Sequence, residues 1–398
     1  MLPGAPLTLA AADARVATCN RDVAAARVAL DAAAADVRIA GQRPNPNLTL
    51  GVSNVNPSAG IGSGGLRDKT IDSSARLEQL VERGDKPRLR QEQAEALYAA
   101  ARSDVAEQLR VQRAAMRAAF FDLAAAQQKA RLLGDFRAIA TQSAEASRRR
   151  LEQGEISRAE ADRFRLDAAR AANDERQATS DRQRAQLDLA RLLGAEVQAA
   201  SIEVIPEWPT ASPGPAPAGS RPDVRAAEYR LQAAERASDL ARSLATRDVT
   251  VGMQADHWPT SSTNLQGTGV SYSLNVEIPL HVRHANEGEA QRALADLEAA
   301  RASLERARAS ASADARIADE EWRSADERRE REDAEVAPAA RDVAKGAEYA
   351  YQRGATGVLD LLDARRSLKT VELDEVQVRA DAAKAWARRE AARETLPE

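Results

Sequence analysis

The chain has 398 residues, a net charge of −4, 30 % charged residues and only 3 % aromatic residues. Aromatic side chains supply much of the burial in ordinary cores, so this composition argues against a large apolar core and favours long helices packed through small residues. Acidic and basic residues are interspersed, which predicts no binding of nucleic acid. Because no glycine-rich phosphate loop, nucleophile elbow or HExxH motif occurs, we expect neither an enzyme nor a cofactor.

The sequence contains no apolar stretch of the ~18 residues that a membrane-spanning helix needs. The first residues, from Met1 to Leu7, also lack the charged and apolar regions of a signal peptide. Two origins remain open on these grounds, a cytosolic protein and an exported protein whose signal has been removed. The features described below favour removal.

The two halves of the chain resemble each other at an offset of 200 or 201 residues. Such a repeat must be recognised before the fold is predicted. We expect a first repeat over residues 1–198, a proline-rich linker over 199–221 and a second repeat over 222–398. The collinear matches pair Asp22-Val23 with Asp223-Val224, Leu48-Thr49-Leu50-Gly51 with Val249-Thr250-Val251-Gly252, and Arg150–Gly154 with Ala350–Gly354.

Within each half, the predicted order is helix, β-hairpin, very long helix, glycine-marked turn and helix. The first helix, near residues 8–41, stops before Pro44 because proline cannot continue a helix. A hairpin at about 46–80 follows. After Pro87, the chain up to Arg150 contains no further proline and a single glycine, so we expect one helix that is ~95 Å long at ~1.5 Å per residue.

The second hairpin, at about 248–280, contains the clearest strand pattern. Residues 270–278 alternate without a fault between apolar and polar side chains, as expected for a strand with one apolar and one polar face. A half-buried sheet of a soluble protein would alternate too, but strands of this length also fit an outer-membrane barrel. Trp258, at the hairpin bend, is placed to lie near a membrane interface. The side chains expected to line the barrel lumen are Ser271, Ser273, Asn275 and Glu277.

Each chain supplies only four predicted strands. Single-chain membrane barrels begin at about eight strands, and open sheet edges are not tolerated in lipid. If the strands span a membrane, the chain must therefore oligomerise, and three copies would supply twelve strands.

Several stretches of the duplicated chain are short, but their order along the sequence makes them a specific signal. They are Arg221-Pro222-Asp223-Val224 at the start of the second repeat, Glu277-Ile278-Pro279-Leu280 at the end of a strand, and the turns at 151–157 and 351–363. With them, the sequence resembles the TolC-like outer-membrane efflux family over essentially its whole length. Its overall character is closer to the heavy-metal cation branch, which is CzcC- or CnrC-like. One departure is the charged stretch Arg83–Lys86, where many relatives have a neutral glycine-rich turn.

The resemblance implies a mainly α fold with a small membrane β-barrel. A homotrimer would place a twelve-stranded barrel in the outer membrane of a Gram-negative bacterium, on an α-helical tunnel in the periplasm. It further implies a passive channel, with a periplasmic adaptor and an inner-membrane pump of the resistance-nodulation-division type as partners. Divalent heavy-metal cations would be the substrate, and outer-membrane lipid would surround the barrel.

The resemblance also assigns site residues near the two glycine-marked turns. The residues implied in adaptor docking are Gly154, Glu155, Ile156, Ser157, Gly354, Ala355 and Thr356. The residues implied at the pore constriction are Tyr351, Asp360, Asp363 and Glu160. A ring of carboxylates would concentrate cations and repel anions.

The sequence disfavours three other interpretations. A soluble coiled-coil scaffold would explain the helices but not the alternation in 270–278. A periplasmic adaptor carries a single helical hairpin, which the repeat with its offset of about 200 residues disfavours. A metal site at His281 and His284 lacks a third ligand nearby, so we predict no bound metal.

Overall fold

The computed structural model describes residues 6–55, 58, 60, 62–65, 70–209, 220–260 and 269–395. Most of these residues are helical. The helices are α1 (Leu9–Cys19), α2 (Arg21–Ala40), α3 (Lys86–Glu152), α4 (Arg158–Leu192), α5 (Pro222–Ser243), α6 (Glu287–Arg331), α7 (Ala337–Gln352) and α8 (Val358–Arg393). The strands are β1 (Asn47–Ser53), β2 (Asp72–Val81), β3 (Val249–Trp258) and β4 (Gly269–Glu277).

The single helix expected near residues 8–41 is wrong, because the chain breaks at Asn20 into α1 and α2. The Asn20 side-chain oxygen accepts hydrogen bonds from the backbone N–H groups of Asp22 (2.9 Å) and Val23 (3.2 Å), and so caps the start of α2. Its amide donates to the carbonyl of Leu192 at 2.9 Å. The break is thus fixed by a distant partner as well as by local capping.

The expectation of one long helix from Pro87 to Arg150 is confirmed by α3, which runs unbroken over 67 residues. Gly134 lies inside it without interrupting it. The corresponding helix of the second half is not uniform. Residues Glu332–Val336 form a π-helical segment between α6 and α7, in which the N–H of Ala337 bonds to the carbonyl of Glu332. Pro338, which has no N–H to donate, follows directly.

The strands form one antiparallel sheet in the order β1-β2-β3-β4 within the described residues. Each hairpin pairs its own strands, and β2 pairs with β3 to join the two hairpins. The loop of the first hairpin, over residues 54–71, lies partly outside the described residues, as does the loop 259–268. Strands β1 and β4 are the two edges of the sheet.

The chain divides into two compact units, and each contains parts of both halves of the sequence. One unit comprises residues 30–102 and 226–305 and holds the sheet. The other comprises residues 1–29, 103–225 and 306–398. Its core includes Phe120 and Phe121, which are fully buried. The proposed boundaries at 198 and 222 remain predictions.

The linker predicted over 199–221 contributes to this core. Ala199, Ile202 and Val204 are buried in it. Trp208 stacks on Phe121 with ring centroids 6.0 Å apart. The prolines and glycines at 210–219 lie outside the described residues. Before them, the linker is a packed segment and not only a connection.

In the part of the chain that the structure describes, no helix has both the length and the apolar character needed to span a bilayer.

Candidate functional site

The register of the sheet places apolar side chains from all four strands on one face. In one row the successive cross-strand partners are Leu48, Leu77, Met253 and Leu274. All four residues are exposed, and Tyr272 in the next row is 81 % exposed. Contiguous apolar surface of this kind marks contact with another apolar phase, either protein or lipid.

The opposite face is polar and internally bonded. Arg76 donates to Gln254 at 2.8 Å, and Gln254 donates in turn to Asp256 at 2.7 Å. Ser273 is the β4 partner of Gln254, and Ser271 is the partner of Asp256. Asn275 and Glu277 follow on the same face by alternation. The four residues predicted for the lumen therefore share one polar face, and their role in a lumen remains a prediction.

The two glycine-marked turns have the same backbone geometry. Gly154 and Gly354 have φ angles of 77° and 71°, a conformation that glycine adopts without steric cost. The N–H of Glu155 bonds to the carbonyl of Arg150, and the N–H of Ala355 bonds to that of Ala350, each at 2.9 Å. Both helices thus end in the same 6→1 bond that closes a helix terminus.

The turns differ in how the following helix begins. Ser157 and Glu160 form a reciprocal capping box at the start of α4, in which Glu160 accepts from the N–H of Ser157 at 3.1 Å. At the start of α8 the capping residue is Gly357, which has no side chain to bond. Asp360, the equivalent of Glu160, is exposed and makes no such bond. The Glu160 carboxylate therefore has a local structural role that Asp360 lacks.

The remaining residues of the predicted docking tip lie around these turns. Ile156 and Thr356 occupy equivalent places and are partly buried. The Thr356 hydroxyl is buried without a hydrogen-bond partner among the described residues. Ala355 and Glu155 are exposed, and Glu155 accepts from Arg150 at 3.1 Å.

Tyr351 connects the two turns. Its ring packs against Phe164 of α4 with centroids 6.4 Å apart, and its hydroxyl lies 3.4 Å from Nη1 of Arg150. Arg150 ends α3 and belongs to the first turn, whereas Tyr351 belongs to the second. Arg150 is not among the residues predicted for the tip or the constriction. The run of three arginines at the end of the long helix could have indicated a functional residue. The partner of Arg150, Tyr351, lies in the other half of the chain and could not be inferred from the sequence.

Helix α8 exposes Asp360 and Asp363 on one face and buries its other face against neighbouring helices. Leu361 and Leu362 are buried in a cluster with Phe164. Asp363 has a side chain that is 75 % exposed, with Arg366 at 3.5 Å. Because residues three apart in a helix share a face, these two carboxylates lie on one exposed face of α8.

Basic residues one to two turns further along hold α8 in place. Arg365 donates to Glu348 of α7 at 2.6 Å and to Ser143 of α3 at 3.0 Å. Lys369 donates to Asp174 of α4 at 2.8 Å. Three neighbouring helices therefore fix the orientation of the segment that carries the carboxylates.

No three His, Cys, Asp or Glu side chains come together in a metal-binding arrangement within the described ranges. His281 and His284 lie near Glu287, whose carboxylate accepts from the N–H of Ala285. That these histidines hold no metal remains a prediction.

These features define a class of helical proteins with one small, two-faced sheet and two matched helical turns. The family described as outer membrane efflux protein matches residues 15–195 and 218–392. The chain belongs to this family. Because the family consists of transport channels, the chain is a channel component and not an enzyme.

Individual relatives agree with this assignment. The cobalt-zinc-cadmium resistance protein CzcC of Cupriavidus metallidurans is 26 % identical over 376 residues, which cover 91 % of this chain and 84 % of CzcC. The outer membrane protein VceC of Vibrio cholerae is similar in structure, with a TM-score of 0.78 at 19 % identity, over 97 % of this chain and 95 % of VceC. A membrane protein of Pseudomonas aeruginosa gives 0.81 at 18 % identity, over 97 % and 90 %. The fold is therefore that of the outer-membrane channels.

Proposed function

We propose that three copies of this chain form the outer-membrane channel of a tripartite efflux system. The observation that carries the proposal is the apolar face that runs across all four strands of a sheet whose two edges are unpaired among the described residues. Lipid accepts an apolar surface but not an open sheet edge. Three sheets joined edge to edge would satisfy both conditions in a twelve-stranded barrel of a Gram-negative outer membrane.

The helices then form the periplasmic tunnel, and the turns at Gly154 and Gly354 form its tip. The exposed tip supports docking of a periplasmic adaptor, which connects the channel to an inner-membrane pump of the resistance-nodulation-division type. The channel itself is passive. Its residues select by charge, and the pump supplies the energy.

Divalent heavy-metal cations are the proposed substrate. The similarity to CzcC, named for cobalt, zinc and cadmium resistance, supports this choice. The exposed carboxylates of Asp360 and Asp363 support it independently, since threefold symmetry would repeat them as rings that attract cations. Tyr351 and Glu160 complete the proposed constriction.

The test is single-channel recording of the purified trimer in a planar bilayer under a salt gradient. The double variant Asp360→Asn and Asp363→Asn should shift the reversal potential toward that of a non-selective pore. The control variant, Glu320→Gln, removes an exposed carboxylate on α6 and should leave the reversal potential unchanged. Unchanged cation selectivity in the double variant, with normal conductance, contradicts the proposed constriction.

A further inference from the structure

The end of the sheet that adjoins the helices carries one arginine on each of its four chain segments. We call this end the helix-side edge, to distinguish it from the two lateral edges formed by β1 and β4. Because the strands are antiparallel, the starts of β1 and β3 and the ends of β2 and β4 meet at this edge. All four arginines are exposed, and no side chain among them makes an ion pair or hydrogen bond with another described residue. They are Arg43, Arg83, Arg247 and Arg283, which we call the edge arginines.

The carboxylates nearest to this edge have other partners. Glu82 is held by Arg90 through two bonds of 2.7 and 3.1 Å. Asp248 accepts from Lys86 at 2.7 Å. Asp248 also accepts from the backbone N–H of Arg83 at 2.8 Å, and its charge attracts that of Arg83. Arg43, Arg247 and Arg283 have no such carboxylate partner among the described residues, so the edge keeps a local excess of positive charge.

The positive edge is continuous with the apolar face of the sheet. The apolar alternation of β4 extends beyond its last paired residue, Glu277, through Ile278, Leu280 and Val282. Leu280 is 70 % exposed and Val282 is 83 % exposed. Arg283 follows immediately, between His281 and His284, so apolar and basic side chains alternate where the strand ends.

A cavity of 430 Å³ opens at the same edge beside Arg43. Its other lining residues include four with apolar side chains, namely Pro44, Leu80, Val81 and Pro87. Glu82 also lines the cavity but is paired with Arg90. Gln79 completes the lining, so the walls are mixed, and Arg43 is the unpaired charge among them.

We infer that the edge arginines bind the phosphate groups of anionic phospholipids in the leaflet that faces the helical tunnel. Guanidinium groups recognise phosphate through charge and paired N–H donors. A cluster of basic residues next to an apolar surface fits the boundary between lipid headgroups and acyl chains. This inference rests on the proposed function, because it requires the apolar face to lie in a bilayer. In the trimer, twelve arginines would fix the depth of the barrel.

The test uses the purified, detergent-solubilised trimer of the full chain. Native mass spectrometry measures how many molecules of phosphatidylglycerol remain bound as the lipid is titrated, with zwitterionic phosphatidylcholine as the comparison lipid. The test variant replaces all four edge arginines with glutamine. A matched control replaces four exposed arginines of α4 with glutamine, namely Arg163, Arg170, Arg176 and Arg191.

We expect the affinity for phosphatidylglycerol to fall at least tenfold in the test variant and to stay within twofold in the control. Both variants should remain trimeric and conduct ions, which separates this inference from the proposed function. A trimeric, conducting test variant that retains wild-type affinity for phosphatidylglycerol overturns the inference. Loss of adaptor binding with unchanged lipid affinity overturns it as well, because it assigns the arginines to a protein partner. Displacement of the lipid from wild-type trimer by millimolar inorganic phosphate would show a free-phosphate site instead.

Discussion

Arg221 is the best-buried charge in the segment that opens the second half of the chain, with 8 % of its side chain exposed. Its guanidinium donates to both oxygens of Asp223, at 2.8 and 2.6 Å, and to Asp314 of α6 at 3.0 Å. One arginine therefore ties the start of α5 to a distant helix. The stretch Arg221-Pro222-Asp223 could be recognised from the sequence as typical of the family. Asp314, the third member of this cluster, lies 93 residues away from Arg221 and could not.

Replacing Arg221 with Met should lower the free energy of unfolding by about 2 kcal/mol, because the two carboxylates lose their partner. The cost is below the ~3–5 kcal/mol of a fully buried pair, since the side chains of Asp223 and Asp314 are 26 % and 49 % exposed. The effect should appear as a lower melting temperature of the helical signal of the detergent-solubilised trimer. Arg388→Met provides the control, since that arginine is 63 % exposed and pairs with Glu321 at 3.2 Å. An exposed pair contributes ~0–1 kcal/mol. Equal melting temperatures for the wild type and Arg221→Met would contradict a stabilising role for the cluster.

The same cluster predicts a pH dependence. Burial alone would raise the pKa of the Asp223 carboxyl, but its bonds to Arg221 outweigh burial and hold this pKa below its ordinary value of 3.8. A depressed native pKa contributes stability that is present above the unfolded value of ~3.9 and is lost as pH falls through the native value. The melting temperature of Arg221→Met should therefore fall less steeply below about pH 4 than that of the wild type. Parallel acid limbs for the two proteins would show that Asp223 is not linked to Arg221 in this way.

At the scale of elements, local patterns gave reliable predictions where a single period dominates the sequence. The long helix α3 was predictable because no proline interrupts it, and β4 was predictable because its alternation is faultless. The break at Asn20 was missed because asparagine is compatible with a helix, and the partner that stabilises the break, Leu192, is far away in the sequence. The pairing of β2 with β3 likewise joins residues from separate halves, so no local pattern could specify it.

The apolar face of the sheet supplies the prediction at this scale. Leu274→Arg places a charge in the row shared by all four strands, and arginine on the lipid face of a membrane barrel costs ~2–4 kcal/mol near the bilayer midplane. We expect a clear loss of folded trimer in extracted outer membranes, measured by heat-modifiable migration on a gel. Asn275→Arg, one residue further on the polar face, should assemble close to wild-type levels. Equal yields of the two variants would mean that the apolar face does not contact lipid.

At the scale of the whole molecule, the described part of the chain has strand edges and a candidate constriction that a single copy cannot complete. Strands β1 and β4 each pair on one side only, and both expose apolar residues such as Leu50 and Leu274. Exposed edges of this kind promote pairing with another chain. The candidate constriction is incomplete in the same sense, because Asp360 and Asp363 of a single chain cannot surround a pore.

Proline substitutions on β4 test whether its outer edge pairs with a neighbouring subunit. Proline removes one backbone N–H, and successive residues of a strand direct their N–H groups to opposite sides. Of the variants Ser273→Pro and Leu274→Pro, one therefore loses a bond to β3 and the other loses only an outward N–H. If the outer edge of β4 pairs with β1 of the next subunit, both variants should lose most of their trimer, measured by native mass spectrometry against the 42.8 kDa chain. If the outer edge is free, one variant should keep a wild-type fraction of trimer, and a barrel closed edge to edge would be wrong.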